Sequence, residues 1–187
     1  MPSPIAHASI ALIADSAIGD RPRAEALWRR AAFGLAVVFA CGAPDLDIIA
    51  GWVLIGDGFT HHGAYSHSFA CAVIFGLVFA PIFRWLRPTI RIGRAIVLGW
   101  GLYAAHIVMD TLIYDTRGVG LLWPLLPDRF ASPIVLFVGV EYGQWWRWDL
   151  HLLTVLNEGA FAVLVLWLSK AATAARRRKA GPTHAER

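Results

Sequence analysis

Four long apolar stretches alternate with short polar connections in this chain, and their length constrains the fold more than any other feature. The stretch Ala31–Gly56 is interrupted only by a polar insertion around Pro44, and the others are Ser68–Leu86, Ala95–Tyr114 and Leu150–Ser169. Each is close to the roughly 20 residues that a helix needs to cross a bilayer. Because unpaired backbone groups are costly in lipid, the sequence predicts four membrane-spanning helices.

The composition agrees with a membrane protein. Of the 187 residues, 57% are hydrophobic and 16% are charged, whereas about a quarter are charged in soluble domains. A fifth apolar stretch, Pro4–Ile18, is shorter, so it can cross obliquely, lie at the interface or pack inside the bundle. We therefore expect one all-α, integral membrane helical bundle of about five helices over residues 1–170, followed by a basic, disordered tail at 171–187.

Lysine and arginine occur in three clusters that can all lie on the cytoplasmic side. The clusters are Arg21, Arg23, Arg29 and Arg30, then Arg84, Arg87, Arg91 and Arg94, and finally Lys170 and Arg176–Lys179. This pattern predicts an outer N-terminus and a cytoplasmic C-terminus. Because the clusters lack the aromatic interleaving of a nucleic-acid surface, the net charge of +4 predicts no nucleic-acid partner.

The two remaining connections, 57–67 and 115–149, fall together on the outer, non-cytoplasmic side in this scheme. The second is rich in Pro and Gly, and its apolar stretch Ile134–Val140 is too short to cross a bilayer. We expect this segment to fold back as a cap over the outer end of the bundle.

His106 and Asp110 stand four residues apart in the third long stretch. On a helix this spacing puts both side chains on one face, about 5–6 Å apart at Cβ, which is a chelating geometry. A buried His–Asp hydrogen bond that ties two helices together has the same spacing. The pair alone leaves both interpretations open.

Asp45 and Asp47 lie in the polar insertion of the first long stretch, next to Gly42 and Pro44. This pairing predicts that one helical segment ends and another begins, and broken helices in membranes commonly form binding sites. The aspartates can instead complement the N-terminus of the new helix, which is worth roughly 0.3–1 kcal/mol. Because an aspartate at the centre of a spanning helix costs about 2.5–3.5 kcal/mol, two of them favour a bound cation.

Three histidines occur within seven residues just before the second long stretch, at His61, His62 and His67. We prefer His62 and His67 as a ligand pair, with His61 in reserve. The competing interpretation is that Ser66 caps the next helix and that His67 is an incidental residue of its first turn.

Seven candidate ligands fall at one face of the membrane when His7, near the outer end of the first helix, is included. They are His7, Asp45, Asp47, His62, His67, His106 and Asp110. Imidazole and carboxylate donors without thiolate suit zinc, manganese or iron, and more than four ligands leave room for one or two ions. Such a site would activate water, and Asp45 or Asp110, whichever is not a ligand, can accept the proton.

These motifs, taken in order, resemble those of a known family. They are His7, Pro44-Asp45-Leu46-Asp47, the segment His62–Ser68, His106-Ile107-Val108-Met109-Asp110-Thr111 and Gly118-Val119-Gly120-Leu121-Leu122-Trp123-Pro124, over roughly residues 1–125. The chain resembles the YdjM-like, LexA-regulated, inner-membrane-bound metal-dependent hydrolases of bacteria, a family that looks related to zinc-dependent phospholipase C and single-strand nucleases. The resemblance implies phosphoester hydrolysis with a divalent metal. A site between spanning helices is reached most easily by membrane lipid or a lipid-linked substrate.

Two departures from the family pattern concern individual residues. The family usually has His-Arg-Gly where this chain has His61-His62-Gly63, so that His61 and His62 can exchange roles. The soluble relatives carry a further His-x-x-x-Asp/Glu pair, whereas His151 and Glu158 are seven positions apart here. We therefore expect no third ion.

Arg117 and Arg129 lie on either side of the Trp123-Pro124 segment. A guanidinium group binds phosphate bidentately, so we expect Arg117 foremost to hold a substrate phosphate. Ordinary interfacial arginines show the same pattern.

Two other functions use the same residues. A metal ion or proton transporter also needs intramembrane Asp and His, but it commonly distributes polar groups across the bilayer, and the inner halves of these helices are almost purely apolar. A structural membrane protein whose ion only staples the bundle predicts closed coordination with no open position for water. The sequence favours the enzyme over the transporter and leaves the staple open.

Overall fold

A computed structural model describes residues 2–17, 26–114, 117–140, 144 and 146–179, and within these ranges the regular elements are helices. The helices are α1 (Pro4–Ala17), α2 (Leu27–Gly42), α3 (Leu46–Ile55), α4 (Phe69–Leu86), α5 (Ile92–Thr111) and α6 (Trp148–Lys179), with a 3-10 turn at Ala43–Asp45. Helices α2 and α3 form one segment broken by this turn, so the described residues form five helical segments. The predicted all-α bundle is therefore confirmed.

Four helical segments are long and apolar enough to cross a membrane, and they coincide with the four predicted stretches. Their bounds are Leu27–Ile55, Phe69–Leu86, Ile92–Thr111 and Trp148–Ala175. Helix α1 has 14 residues and is only about 21 Å long, against about 30 Å of hydrocarbon core. It packs against α2, α5 and α6. Of the three arrangements considered for this segment, the structure therefore shows packing inside the bundle.

Helices α4 and α5 approach closely at two glycines. A Cβ at Gly76 would lie 2.8 Å from the Ile96 carbonyl oxygen, and a Cβ at Gly99 would lie 3.1 Å from the Gly76 Cα. Small residues at a helix crossing let two backbones approach, as is common in membrane bundles. This crossing positions α5, which carries His106 and Asp110.

The break between α2 and α3 occurs where the sequence predicts it. Pro44 lies in the first positions of the 3-10 turn, and proline removes a helical N–H and crowds the preceding turn. Helix α3 then ends at Gly56, whose φ of 74° lies in the left-handed region that favours glycine. Asp45 and Asp47 therefore flank the start of a new helix at the break.

Residues 117–140 fold back onto the bundle as the predicted cap. The Ser132 N–H donates to the Thr111 carbonyl over 2.9 Å, and the Gly120 N–H donates to the Gly63 carbonyl over 2.8 Å. Phe137 is buried in one cluster with Met109 of α5. The cap thus ties α5 to the turn that carries His62, while its side of the membrane stays a prediction.

Helix α6 is longer than expected, because it continues to Lys179, beyond the boundary placed at 170. Alanine, arginine and lysine, which are frequent in this stretch, are good helix formers. Residues 180–187 of the predicted tail lie outside the described residues.

Candidate metal centre

The seven candidate ligands come from four elements and meet at one end of the bundle. Helix α1 supplies His7, the α2–α3 break supplies Asp45 and Asp47, the turn before α4 supplies His62 and His67, and the last turns of α5 supply His106 and Asp110. The sequence separation between these elements shows that tertiary packing assembles the cluster.

His67 and His106 direct their Nε2 atoms at two carboxylates. His67 Nε2 lies 3.0 Å from Asp110 Oδ2 and 3.6 Å from Asp45 Oδ1. His106 Nε2 lies 3.2 Å from Asp45 Oδ1 and 3.4 Å from Asp110 Oδ2. These four residues form one compact group of possible metal ligands.

His7 completes the deep side of this group. Its ring stacks on that of His106 with 3.8 Å between centroids, and its Nε2 lies 3.6 Å from Asp110 Oδ1. Burial, followed by the nearby His106 ring, lowers the pKa of His7 to about 3. The ring is therefore neutral and keeps a lone pair for a cation.

A second, overlapping group contains Asp47, His62 and His67. His62 Nδ1 lies 2.8 Å from Asp47 Oδ1, and His67 Nδ1 lies 3.4 Å from Asp47 Oδ2. His61 is exposed, with its ring 6.0 Å from that of Tyr65. Of the two interchangeable histidines, the structure thus places His62 against the carboxylates.

The deep group fits a divalent transition metal. Three buried atoms, His67 Nε2, His106 Nε2 and Asp45 Oδ1, make no hydrogen bond to any of the described residues. Asp45 Oδ1 nevertheless lies only 3.6 Å from His67 Nε2 and 3.2 Å from His106 Nε2. Donors 2.0–2.1 Å from a tetrahedral zinc ion lie about 3.3 Å from one another. The spacing is therefore that of a coordination sphere.

The thiols lie outside the donor set. Cys41 donates to the His7 carbonyl oxygen over 3.0 Å, and Cys71 donates to the Tyr65 carbonyl oxygen over 3.4 Å. The donors that remain are imidazole nitrogens and carboxylate oxygens, which suit zinc, manganese or iron, as the sequence predicts.

Negative charge dominates the centre. Burial opposes protonation of His67, but the nearby carboxylates of Asp110, Asp45 and Asp47 outweigh it and hold the pKa of His67 well above its ordinary value. Three carboxylates this close inside an apolar bundle need compensating positive charge. A divalent cation supplies that charge without a proton.

The site opens on the side of the α2–α3 break. Side-chain exposure is 23% for Asp45, 16% for Asp47 and 15% for His62, whereas His67 and His106 are fully buried. Because Asp45 Oδ1 itself is buried, the exposure of Asp45 belongs to the rest of its side chain. The group of ligands is therefore accessible from outside the bundle on the side of Asp45.

The two arginines of the cap differ in their contacts. Arg129 Nη1 donates to the carbonyl oxygens of His62, over 3.2 Å, and Gly118, over 3.3 Å, so that it ties the cap to the His62 turn. Arg117 is exposed directly before Gly118. Its expected role in phosphate binding stays a prediction.

Glu158 is a buried acidic residue whose role the sequence did not predict. Its carboxylate accepts hydrogen bonds from the Ser3 N–H over 2.7 Å, the Ser3 hydroxyl and the Ala6 N–H over 3.3 Å. It therefore caps the N-terminus of α1 from α6, where negative charge is favourable. The sequence does contain a signal for a buried role, because Glu158 is an acidic residue within the apolar stretch Leu150–Ser169.

Comparison with known proteins places this chain among bacterial membrane proteins. Residues 1–180 match the family model of the YdjM inner membrane protein. The chain is 28% identical over 137 residues to the inner membrane protein YbcI of Escherichia coli (strain K12), covering 71% of this chain and 73% of that protein. No solved structure matches significantly. With its four membrane-length helices and a match that spans every candidate ligand, this chain belongs to the YdjM inner membrane protein family.

Proposed function

We propose that this protein is a membrane-embedded metal-dependent hydrolase that cleaves a phosphoester in a lipid or lipid-linked substrate. The observation that carries the proposal is the convergence of buried Nε2 and carboxylate oxygen atoms that make no hydrogen bonds to the described residues. A structural His–Asp pair would satisfy these atoms within the protein, whereas a metal site leaves them for the ion.

The partly exposed carboxylate of Asp45 supports an enzyme over a structural staple. A divalent ion bound at this centre would supply a water molecule of lowered pKa as the nucleophile and would stabilise charge on the phosphoryl oxygens. His7, His67, His106 and Asp110 would hold that ion at the buried side. Asp45 turns Oδ1 toward this group, and its second oxygen accepts the proton that the attacking water loses. Arg117 binds the substrate phosphate in this proposal.

The position of the opening supports a lipid substrate. Asp45 directly precedes α3, and no residue of α3 is buried. Ile49 and Val53, which lie four and eight residues after Asp45, are both exposed. Spacings of four and eight residues keep these side chains on one helix face with Asp45. Apolar side chains therefore continue from the opening, as acyl or isoprenoid chains require.

The test of the reaction uses the zinc-loaded protein in detergent with phospholipids, isoprenoid phosphates and soluble phosphodiesters. We expect cleavage of a lipid phosphoester, and we expect Asp45→Asn to reduce it by about 10²–10⁴-fold because the proton acceptor is lost. Metal content is measured in the same samples. Cleavage of soluble esters alone would refute the lipid assignment, and no turnover with zinc, manganese or iron would favour the staple.

The apolar face of α3 supplies a separate test of the lipid assignment. We expect Ile49→Gln to lower kcat/KM for the lipid substrate about 10-fold, the scale of one lost apolar contact, while hydrolysis of a soluble diester stays unchanged. Leu54→Gln is the matched control, because Leu54 is also exposed but lies on the opposite face, nine residues after Asp45. Equal effects of both variants on both substrates would contradict this role.

A further inference from the structure

His62 and His67 each present one ring nitrogen to Asp47 and the other toward Asp45. Their Nδ1 atoms lie 2.8 Å and 3.4 Å from the Asp47 carboxylate. Their Nε2 atoms lie 4.0 Å and 3.6 Å from Asp45 Oδ1. A neutral imidazole has one N–H and one lone pair, so a ring that donates through Nδ1 directs its lone pair through Nε2.

Both oxygens of Asp47 already have donors. Oδ1 faces His62 Nδ1, and Oδ2 accepts from the Gly63 N–H over 3.2 Å and the Ser66 hydroxyl over 2.6 Å. Ser66 Oγ also lies 2.9 Å from His67 Nδ1. The hydroxyl therefore accepts from His67 and donates to Asp47, which links the carboxylate to the second ring.

An ion bound by Asp47, His62 and His67 would need the Nδ1 lone pairs instead. His67 would then have to lose both ring protons if its Nε2 also bound an ion at Asp110 and Asp45. The observed contacts are those of a carboxylate that orients metal-binding histidines from outside the coordination sphere.

We propose that Asp47 is a positioning residue that holds His62 and His67 with their Nε2 atoms toward a single ion at Asp45, His106 and Asp110, and that it is not a ligand of a second ion. The inference rests on the proposed function only in requiring a bound metal. Its test therefore counts ions and does not depend on turnover.

The experiment dialyses the full-length protein in detergent against zinc and measures stoichiometry by elemental analysis. We expect one zinc ion per chain in the wild type. Asp47→Asn should keep one ion but bind it about 10–100-fold more weakly, as for other lost outer partners of metal-binding histidines. The visible spectrum of the cobalt-substituted protein should keep its band pattern, because the donor atoms are unchanged.

Ser66→Ala keeps Asp47 but removes its link to His67, so we expect a smaller loss of affinity with one ion retained. If Asp47→Asn does not fold, Ser66→Ala tests the proposal in its place. Asp57→Asn is the matched control, because Asp57 is an exposed carboxylate that accepts hydrogen bonds from Phe59 and Thr60 outside the site.

Two zinc ions in the wild type and one in Asp47→Asn would overturn the proposal. Unchanged zinc affinity in both Asp47→Asn and Ser66→Ala would also overturn it. If the protein binds one zinc ion as expected but hydrolyses no ester, only the proposed reaction is contradicted.

Discussion

Asp110→Asn should lose the metal, with an affinity for zinc lowered by more than about 100-fold, which exceeds the usual effect of an outer partner. Asp110 is buried, and its carboxylate approaches His7, His67 and His106 together. An amide has the same size but no charge, so the variant removes the anionic donor while keeping the packing. Isothermal titration with zinc and elemental analysis after dialysis measure the change.

The same variant should also lose the stabilisation that a bound ion gives the folded protein. Chelator is expected to lower the Tm of the wild type and to leave that of Asp110→Asn unchanged. Asp57→Asn should behave as the wild type in both measurements, because its carboxylate lies outside the cluster. Wild-type zinc content in Asp110→Asn would contradict the metal centre itself.

Glu158→Leu should destabilise the protein by about 3 kcal/mol, because several hydrogen bonds to a buried carboxylate are lost at once. The Ser3 N–H and hydroxyl and the Ala6 N–H would remain buried without this acceptor. Since α1 carries His7, we also expect weaker zinc binding. Thermal unfolding in detergent and hydrogen exchange of the α1 amides measure the two effects.

Two further variants separate capping from packing at this position. Glu158→Gln keeps one carbonyl oxygen as an acceptor and should lose about half as much stability. Gly159→Ala on the same helix should be neutral or slightly stabilising, because a Cβ there meets nothing within 4 Å. Equal stability of Glu158→Leu and the wild type would show that the cap contributes nothing.

The sequence by itself determined the spanning segments and the position of the helix break. Both follow from local physics, because the thickness of a bilayer sets the length of an apolar helix and Pro44 disrupts a helix regardless of its neighbours. The i, i+4 spacing of His106 and Asp110 likewise requires one face of a helix. The types of the ligand residues, and their location in or next to membrane-spanning helices, could therefore be predicted.

Only the tertiary structure decided how these residues meet. The placement of α1 inside the bundle depends on Glu158, more than 150 positions away in the sequence. Arg129 contacts the carbonyl oxygen of His62, and the cap reaches Gly63, so the orientation of this turn depends on long-range packing. Whether a ring turns Nδ1 or Nε2 toward a carboxylate is a question of orientation over a few ångströms, and residue type and spacing do not encode that orientation.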